Sequence, residues 1–241
     1  MNKKSSNTGW IVVVAVIAIA FIGIVIWRLT DKQANQVDTS KYDITGYIGP
    51  NDDNGGIGDH VKGDQSAPVQ IVEYADFQCS ACAGMNSRVN KLIEEYDGKL
   101  AIIYRNFLLS YHQNATAAAS AAEAAGLQGY WKDYADMLFA NQSTWSEASG
   151  ESRTSMFADL FANVSKGQGD TQKFLADMNS QAVKDKISFD ASLTKNLEIP
   201  GTPSFFLDGQ LIELKNVSSE DDFMNLFRGK IDAKLEQQNQ Q

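Results

Sequence analysis

Residues 68–82 read PVQIVEYADFQCSAC. The first seven are rich in β-branched side chains, which favours a short β-strand. Apolar residues then recur at helical intervals, which predicts a helix from Cys79 to Tyr96 that ends at Asp97-Gly98. Residues 100–107, LAIIYRNF, predict a second strand. Strand, helix and strand together indicate a βαβ unit with parallel strands and a right-handed crossover.

Cys79 and Cys82 are the only two cysteines in the sequence. Lying three residues apart, they cannot connect distant parts of a fold as structural disulfides do. A C-x-x-C pair at a strand-to-helix junction places its first sulfur over free backbone amides, which stabilise a thiolate. Cys79 is therefore the predicted nucleophile. Cys82, one turn further on, would resolve a mixed disulfide, so this redox-active disulfide is the only cofactor expected.

Other uses of the cysteine pair remain open at this point. A structural zinc site usually has four ligands, and the further donors are His60 and His112, far apart in sequence. Delivery of a soft metal such as Cu(I) is a second alternative. Two buried thiols without a function are a third.

The chain beyond the βαβ unit predicts a helical block at about 113–197, in which Asn114 and Asp170 can cap two of five helices. Strand alternation returns at 204–207 and 210–214. Asp208-Gly209 between them is a strong hairpin signal.

A last helix follows the hairpin. Ser219 and Asp222 have the spacing of a capping box at its start. The order βαβ, helical block, ββα indicates one α/β domain at 67–236, followed by a polar tail at 237–241.

Residues 10–27, WIVVVAVIAIAFIGIVIW, carry no charge. As a helix they would extend roughly 27 Å at about 1.5 Å per residue, which nearly matches a bilayer core. They predict a transmembrane anchor, with residues 1–9 cytoplasmic and the domain on the extracytoplasmic side of the cell membrane as a single-pass protein. A cleaved signal peptide ending at Ala18-Ile19-Ala20 is the alternative.

Residues 28–66 are polar and glycine-rich, which predicts a flexible linker. Within them, 51–59 read NDDNGGIGD, which is similar to a calcium loop but lacks the ligand spacing and closing Glu of an EF-hand. A solvated acidic linker is therefore favoured, with His60 a polar residue in it.

The net charge of −9 and the isoelectric point near 4.7 give no basic surface. Contacts to nucleic-acid phosphates are made by clustered Lys and Arg. The composition therefore excludes nucleic-acid binding.

Three separated segments resemble the thioredoxin-fold DsbA-like oxidoreductases, especially the membrane-tethered branch found in bacteria lacking a conventional periplasm. They are VEYADFQCSAC at 72–82, RNFLL at 105–109 followed by His112, and GTPSFFLDG at 201–209. The resemblance runs from about residue 59 to 231. It implies a thioredoxin fold with a helical insertion.

The resemblance also implies roles for individual residues. A cis peptide between Thr202 and Pro203 is expected to face the cysteines, leaving the Thr202 backbone free to pair with a substrate strand. Glu73 lies where similar proteins carry a buried acid under the second cysteine, and a raised pKa there would suit proton transfer with Cys82. An exposed strand carboxylate is the alternative for Glu73.

Two further side chains near the motif have predicted structural roles. Asp76 is expected to cap the helix that follows. For His112, packing or capping is favoured over catalysis.

The resemblance implies exchange of disulfides with exported proteins, with oxidation of their cysteine pairs as the leading hypothesis. A membrane quinone-linked protein is the expected reoxidising partner. Strong oxidases of the family often carry Pro and His between the cysteines, whereas this chain has Ser80 and Ala81. A reductase or isomerase therefore stays open, as does a membrane-tethered chaperone or binding module.

Overall fold

The computed structural model describes residues 13–18, 21–23 and 38–240, in two units, Met1–Asp38 and Thr39–Gln241. In the first unit, residues 13–18 and 21–23 are helical. The predicted cytoplasmic residues 1–9 and most of the predicted anchor at 10–27 lie outside the described residues.

In the part of the chain that the structure describes, there is no helix with the length and apolar character needed to cross a membrane. This finding overturns the prediction of a single-pass membrane protein with an extracytoplasmic domain. Of the predicted anchor at 10–27, the structure describes residues 13–18 and 21–23, which are helical.

The second unit contains a five-stranded sheet in the order β1-β3-β2-β4-β5. β2 and β3 are parallel, and the other neighbouring pairs are antiparallel. The strands are β1 (His60–Gly63), β2 (Val69–Ala75), β3 (Leu100–Asn106), β4 (Ser204–Leu207) and β5 (Gln210–Leu211).

Eight α-helices accompany the sheet within residues 39–240. They are α1 (Ser80–Glu95), α2 (Ala115–Gly126), α3 (Trp131–Ala140), α4 (Gln142–Trp145), α5 (Gly150–Val164), α6 (Thr171–Asp177), α7 (Gln181–Asn196) and α8 (Glu220–Gln238). The six from α2 to α7 lie between β3 and β4 and form the helical block. From β2 onward the order βαβ, helical block, ββα is the one that the sequence predicts, but β1 precedes it and the block has six helices instead of five.

Two apolar cores stabilise the domain. In one, residues of β2, β3 and β4 pack with α1 and α8, where Phe205, Phe223 and Phe227 contact one another through their rings. The other is built mainly by the helical block and includes both cysteines. The cysteine pair therefore lies at the edge of a closely packed region.

Local signals in the sequence locate several of these elements correctly. Asp208 and Gly209 have φ values of 50° and 76°, as the β4–β5 turn requires. The side chain of Ser219 accepts from the Asp222 amide in a capping box at the start of α8, and Asp170 caps α6. Asn114 precedes α2 but makes no capping bond with its side chain. Helix α8 also continues to Gln238, into the predicted tail.

The structure differs from the prediction of a flexible linker over residues 39–66. β1 pairs with β3 from His60↔Tyr104 to Gly63↔Ala101, and Ile48 and Ile57 are buried. The physical reason is that the edge of β3 needs backbone partners and the core needs cover, and this segment supplies both.

Other polar residues of this segment also have structural partners. Asn51 accepts the amides of Asp53 and Asn54 at the start of a 3₁₀ helix, Asp52–Asn54. His60 is not merely polar, because its Nε2 lies 2.6 Å from Glu123 Oε2 and its ring stacks on Trp131 with centroids 4.4 Å apart.

Candidate active site

The cysteine pair lies at the N-terminal end of α1. Cys79 is the N-cap residue, with extended backbone (φ −75°, ψ 119°), and its side chain makes no capping bond. The first turn contains no acidic residue that would oppose a sulfur anion. Cys79 is 8% exposed and Cys82 is 0% exposed, and both are free thiols. Only the first sulfur can therefore be approached from outside.

The loop before β4 lies opposite Cys79. The Thr202–Pro203 peptide is cis, as predicted, and Cys79 Sγ lies 3.6 Å from the Thr202 carbonyl oxygen. The antiparallel pairing of β4 with β2 explains this closeness, because Ser204 pairs with Tyr74. Residues just before β4 and just after β2 are thereby placed side by side.

The two sulfurs differ strongly in acidity. A hydrogen bond from the Cys82 thiol is the main reason that the pKa of Cys79 falls to about 5. Burial opposes this change, while the Thr202 hydroxyl and the backbone amides of Cys82 and Ala81 add to it. Burial, followed by the bond to Cys79 and the charge of Cys79, raises the pKa of Cys82. At neutral pH the pair therefore holds one thiolate and one thiol.

The Thr202 hydroxyl is positioned to serve the anionic form of the site. Its oxygen is buried and hydrogen-bonds to no other polar group among the described residues, so the Cys79 sulfur is the group that it serves. A buried donor without an acceptor costs free energy, and a thiolate accepts hydrogen bonds better than a thiol does. Thr202 therefore favours the thiolate of Cys79.

Glu73 is buried, which excludes the exposed strand carboxylate considered for it. It is 4% exposed on β2, and burial raises its pKa to about 7. Lys62 lowers this pKa and Asp136 raises it. The charge of Glu73 also contributes to the raised pKa of Cys82, so the two groups influence each other. A carboxyl group that titrates near neutrality can both release and accept a proton there.

Lys62, on β1, is the cation that lowers the pKa of Glu73. Its side chain is 1% exposed, and Nζ donates to Asn86 at 2.6 Å, Asn90 at 3.3 Å and Asp136 at 2.5 Å. The lysine is held by helices α1 and α3 rather than by Glu73 alone. This leaves Glu73 incompletely compensated.

Asp76 does not cap α1, contrary to the prediction. Its carboxylate accepts from the amides of Gln78 at 2.8 Å and Leu109 at 2.9 Å, and lies 2.9 Å from His112 Nδ1. Asp76 therefore ties together the loops after β2 and β3, because Cys79 itself occupies the cap position. His112 contacts Asp76 and the ring of Tyr111, and its packing or capping role stays a prediction.

The sequence prediction missed two residues that contact or influence this site. Lys62 lies in a segment without apolar periodicity, and lysines are rarely buried, so no sequence signal singles it out. Gln142, on α4, donates to the carbonyls of Phe77 and Cys79. Its contact spans more than sixty residues, and a lone glutamine carries no pattern.

The structure does not assemble the proposed zinc site. His60 and His112 lie beside the carboxylates of Glu123 and Asp76. Within the described residues, no group of three or more His, Cys, Asp or Glu side chains could hold a metal ion.

Comparison with known proteins agrees with this geometry. A family model described as Thioredoxin matches residues 56–225. The chain belongs to the thioredoxin family. The Wolbachia pipientis alpha-DsbA1 structure is 26% identical, with a TM-score of 0.56, and the alignment covers 73% of this chain and 89% of that one.

Two further comparisons give a structural and a sequence match. Oxidised BdbD from Bacillus subtilis shares the fold, with a TM-score of 0.60 at 18% identity, over 80% of this chain and all (100%) of that one. The Na(+)/H(+) antiporter NhaA 1 of Salinispora arenicola is 33% identical over 153 residues, 63% of this chain. This thioredoxin-family chain spans 22% of that antiporter's length.

The chain shares the thioredoxin fold of these structures and carries Cys79 and Cys82 at the start of α1.

Proposed function

We propose that the protein oxidises cysteine pairs of exported proteins through a Cys79–Cys82 disulfide. The observation that carries this proposal is the pKa of Cys79, lowered to about 5. An acidic first thiol stabilises the reduced form of the enzyme, and a stable reduced form makes the disulfide a strong oxidant. The low pKa also makes Cys79 a good leaving group.

The reaction begins with the disulfide form. A substrate thiolate attacks Cys79 Sγ, because Cys82 is fully buried. The Cys79–Cys82 bond breaks, and Cys82 leaves with the electron pair. Because its pKa is raised, Cys82 takes up a proton, and Glu73, with a pKa of about 7, is the donor.

The second step releases the product. A second substrate thiolate attacks the substrate sulfur of the mixed disulfide, and Cys79 leaves as a thiolate. The substrate gains a disulfide and the enzyme gains two electrons. Of the two protons from the substrate thiols, one balances that given to Cys82 and the other enters solvent.

The proposal also names a mode of substrate binding and a redox partner. The carbonyl of Thr202 lies 3.6 Å from Cys79 Sγ, so a substrate strand that pairs with this backbone would hold its cysteine beside Cys79. Reoxidation requires an acceptor of two electrons, and we assign this role to a membrane quinone-linked protein.

The direction of exchange is tested by equilibrating the protein with a series of glutathione redox buffers. We expect a reduction potential toward that of strong oxidases, about −120 mV, and well above the thioredoxin value of about −270 mV. A value near the thioredoxin end would assign a reductase instead.

Two serine variants test the division of roles. Cys79→Ser and Cys82→Ser should both abolish oxidation of a reduced protein substrate, since neither can form the disulfide. Offered an oxidised protein substrate, only Cys82→Ser should accumulate a mixed disulfide, because its Cys79 thiolate attacks the substrate disulfide and no second thiol resolves the product. Non-reducing electrophoresis and mass spectrometry distinguish these outcomes. Retention of oxidation by Cys79→Ser would overturn the proposal and favour a non-enzymatic binding module.

A further inference from the structure

Gln142 connects the helical block with the backbone that carries the nucleophile. It is the first residue of α4, and its Nε2 donates to the carbonyl oxygens of Phe77 at 2.7 Å and Cys79 at 3.0 Å. One amide group therefore binds the chain on both sides of Gln78. Neither carbonyl belongs to a regular strand.

A second set of contacts holds Gln78 from the same side. Its Nε2 donates to the Ser146 carbonyl at 2.9 Å, and its Oε1 accepts the Asn114 amide at 2.6 Å. The Asn114 side chain in turn donates to the carbonyls of Ser146 and Ala148, both at 2.8 Å. Three consecutive residues before the helix are thus fixed to the helical block.

The orientation of this turn matters for the thiolate. The backbone amides of Ala81 and Cys82 lower the pKa of Cys79, and their direction depends on how the first turn of α1 is set. The Cys79 carbonyl also accepts the Ala83 amide at 3.1 Å, the first bond of the helix. Gln142 shares that carbonyl and therefore acts on the same turn.

We propose that Gln142 is a positioning residue that sets the acidity of Cys79 and, through it, the redox equilibrium of the cysteine pair. Gln142 reaches the backbone and not the sulfur, so it acts by orienting the amides that face Cys79 Sγ. The helical block thereby adjusts the oxidising strength of a site built on the sheet and α1. The inference rests on Cys79 being the reactive thiol, as proposed above.

Replacement of Gln142 by leucine removes the donor while keeping a side chain of similar size. The pKa of Cys79 can be measured from the ultraviolet absorbance of the thiolate as a function of pH. We expect this pKa to rise by about one unit, toward the ordinary value of about 8.5. The equilibrium constant with glutathione should shift about tenfold toward a less oxidising pair, since one pKa unit corresponds to a factor of ten.

Gln128→Leu is the matched control. Gln128 is also a glutamine of the helical block with two backbone bonds, which it makes with Asp170. Its loss should leave the Cys79 titration unchanged. An equal shift in both variants would show general loosening of the block and would overturn the inference.

Gln142→Asn provides a second variant with milder consequences for folding. Its amide is one methylene shorter, so it can reach at most one of the two carbonyls, and a smaller shift in the same direction is expected. A titration and glutathione equilibrium identical to those of the natural protein, in either folded variant, would refute the role of Gln142. These measurements need no protein substrate, so they separate this inference from the proposed oxidation of exported proteins.

Discussion

Asp59 and Glu73 are both buried carboxylates, yet their pKa values move in opposite directions. Burial favours the protonated form of Asp59, but Lys186 and Arg105 outweigh it and hold the pKa below its usual range. Glu73 has only the partial compensation of Lys62, and burial raises its pKa to about 7. For these two groups, the strength of the opposing charges decides the direction.

The contacts of the two groups explain the contrast. Asp59 accepts two bonds from Arg105, at 3.0 and 2.8 Å, one from Lys186 at 3.0 Å and one from the Ile48 amide at 3.0 Å. Lys62 instead directs its Nζ to Asp136 and two asparagines. The fully paired carboxylate stabilises the fold, whereas the under-compensated one keeps a proton available near the cysteines.

The largest effect is expected for Asp59→Asn. The change leaves the buried cations Arg105 and Lys186 without their shared anion, and such losses cost about 3 to 5 kcal/mol. Urea unfolding should show this decrease in the free energy of unfolding. Asp53→Asn, in the same segment but on the surface beside Lys41, is the control and should cost far less. Equal losses would mean that the buried network contributes nothing specific.

The next effect concerns how stability depends on pH. The pKa of Glu73 rises from 4.5 in the unfolded chain to about 7 in the fold, so between these values the folded state binds more protons. The free energy of unfolding should therefore fall with rising pH across this window, by roughly 3 kcal/mol from this group. Asp59, whose pKa is lowered, acts with the opposite sign, in more acidic solution.

Glu73→Gln tests this sign directly. The variant should lose the decrease between pH 4.5 and about 7 and should be more stable than the natural protein above that window. Urea unfolding at a series of pH values measures it. Glu213→Gln, an exposed change beside Lys215, should keep the natural slope. If Glu73→Gln kept the pH dependence of the natural protein, another group would be titrating in this window.

A smaller effect is expected for Lys62→Met. Mixed-disulfide resolution by Cys82 is the reverse of the step in which Glu73 protonates Cys82. Removing the cation that lowers the pKa of Glu73 should move the midpoint of its pH profile upward, by about one unit. Lys132→Met is the control, because Lys132 also lies near Asp136, at 3.8 Å, but on the surface. An unchanged midpoint in Lys62→Met would remove Lys62 from the account of Glu73.

The contrast between the two carboxylates also shows what the sequence reveals. Strand β2, helix α1 and the cysteine pair are continuous in the chain, so β-branched composition, helical spacing and C-x-x-C spacing identify them. The burial of Glu73 follows from its position on β2, which the family resemblance also indicated. These features depend on residues that are neighbours in the chain, and a sequence pattern records such neighbours directly.

The partners of Asp59 could not be found in this way. Asp59 and Lys186 are 127 residues apart, and β1 is only four residues long within a glycine-rich segment. Ile48 and Ile57 are isolated apolar residues without periodicity, so the segment has the composition of a linker. Its order comes from pairing with β3 and from the buried charges, which are contacts of the folded chain alone.

The smallest and most discriminating change is Asp136→Asn. Asp136 raises the pKa of Glu73 by its charge, so its neutralisation should lower the resolution midpoint by less than about one unit, opposite to Lys62→Met. The asparagine oxygen can still accept from Asn86 and Asn90, which now bond to Asp136 at 2.9 and 3.0 Å. Asp133→Asn, on the same helix but exposed, should leave the midpoint unchanged. If Lys62→Met and Asp136→Asn shifted the midpoint in the same direction, the hydrogen-bonded geometry around Lys62, and not its charge, would control Glu73.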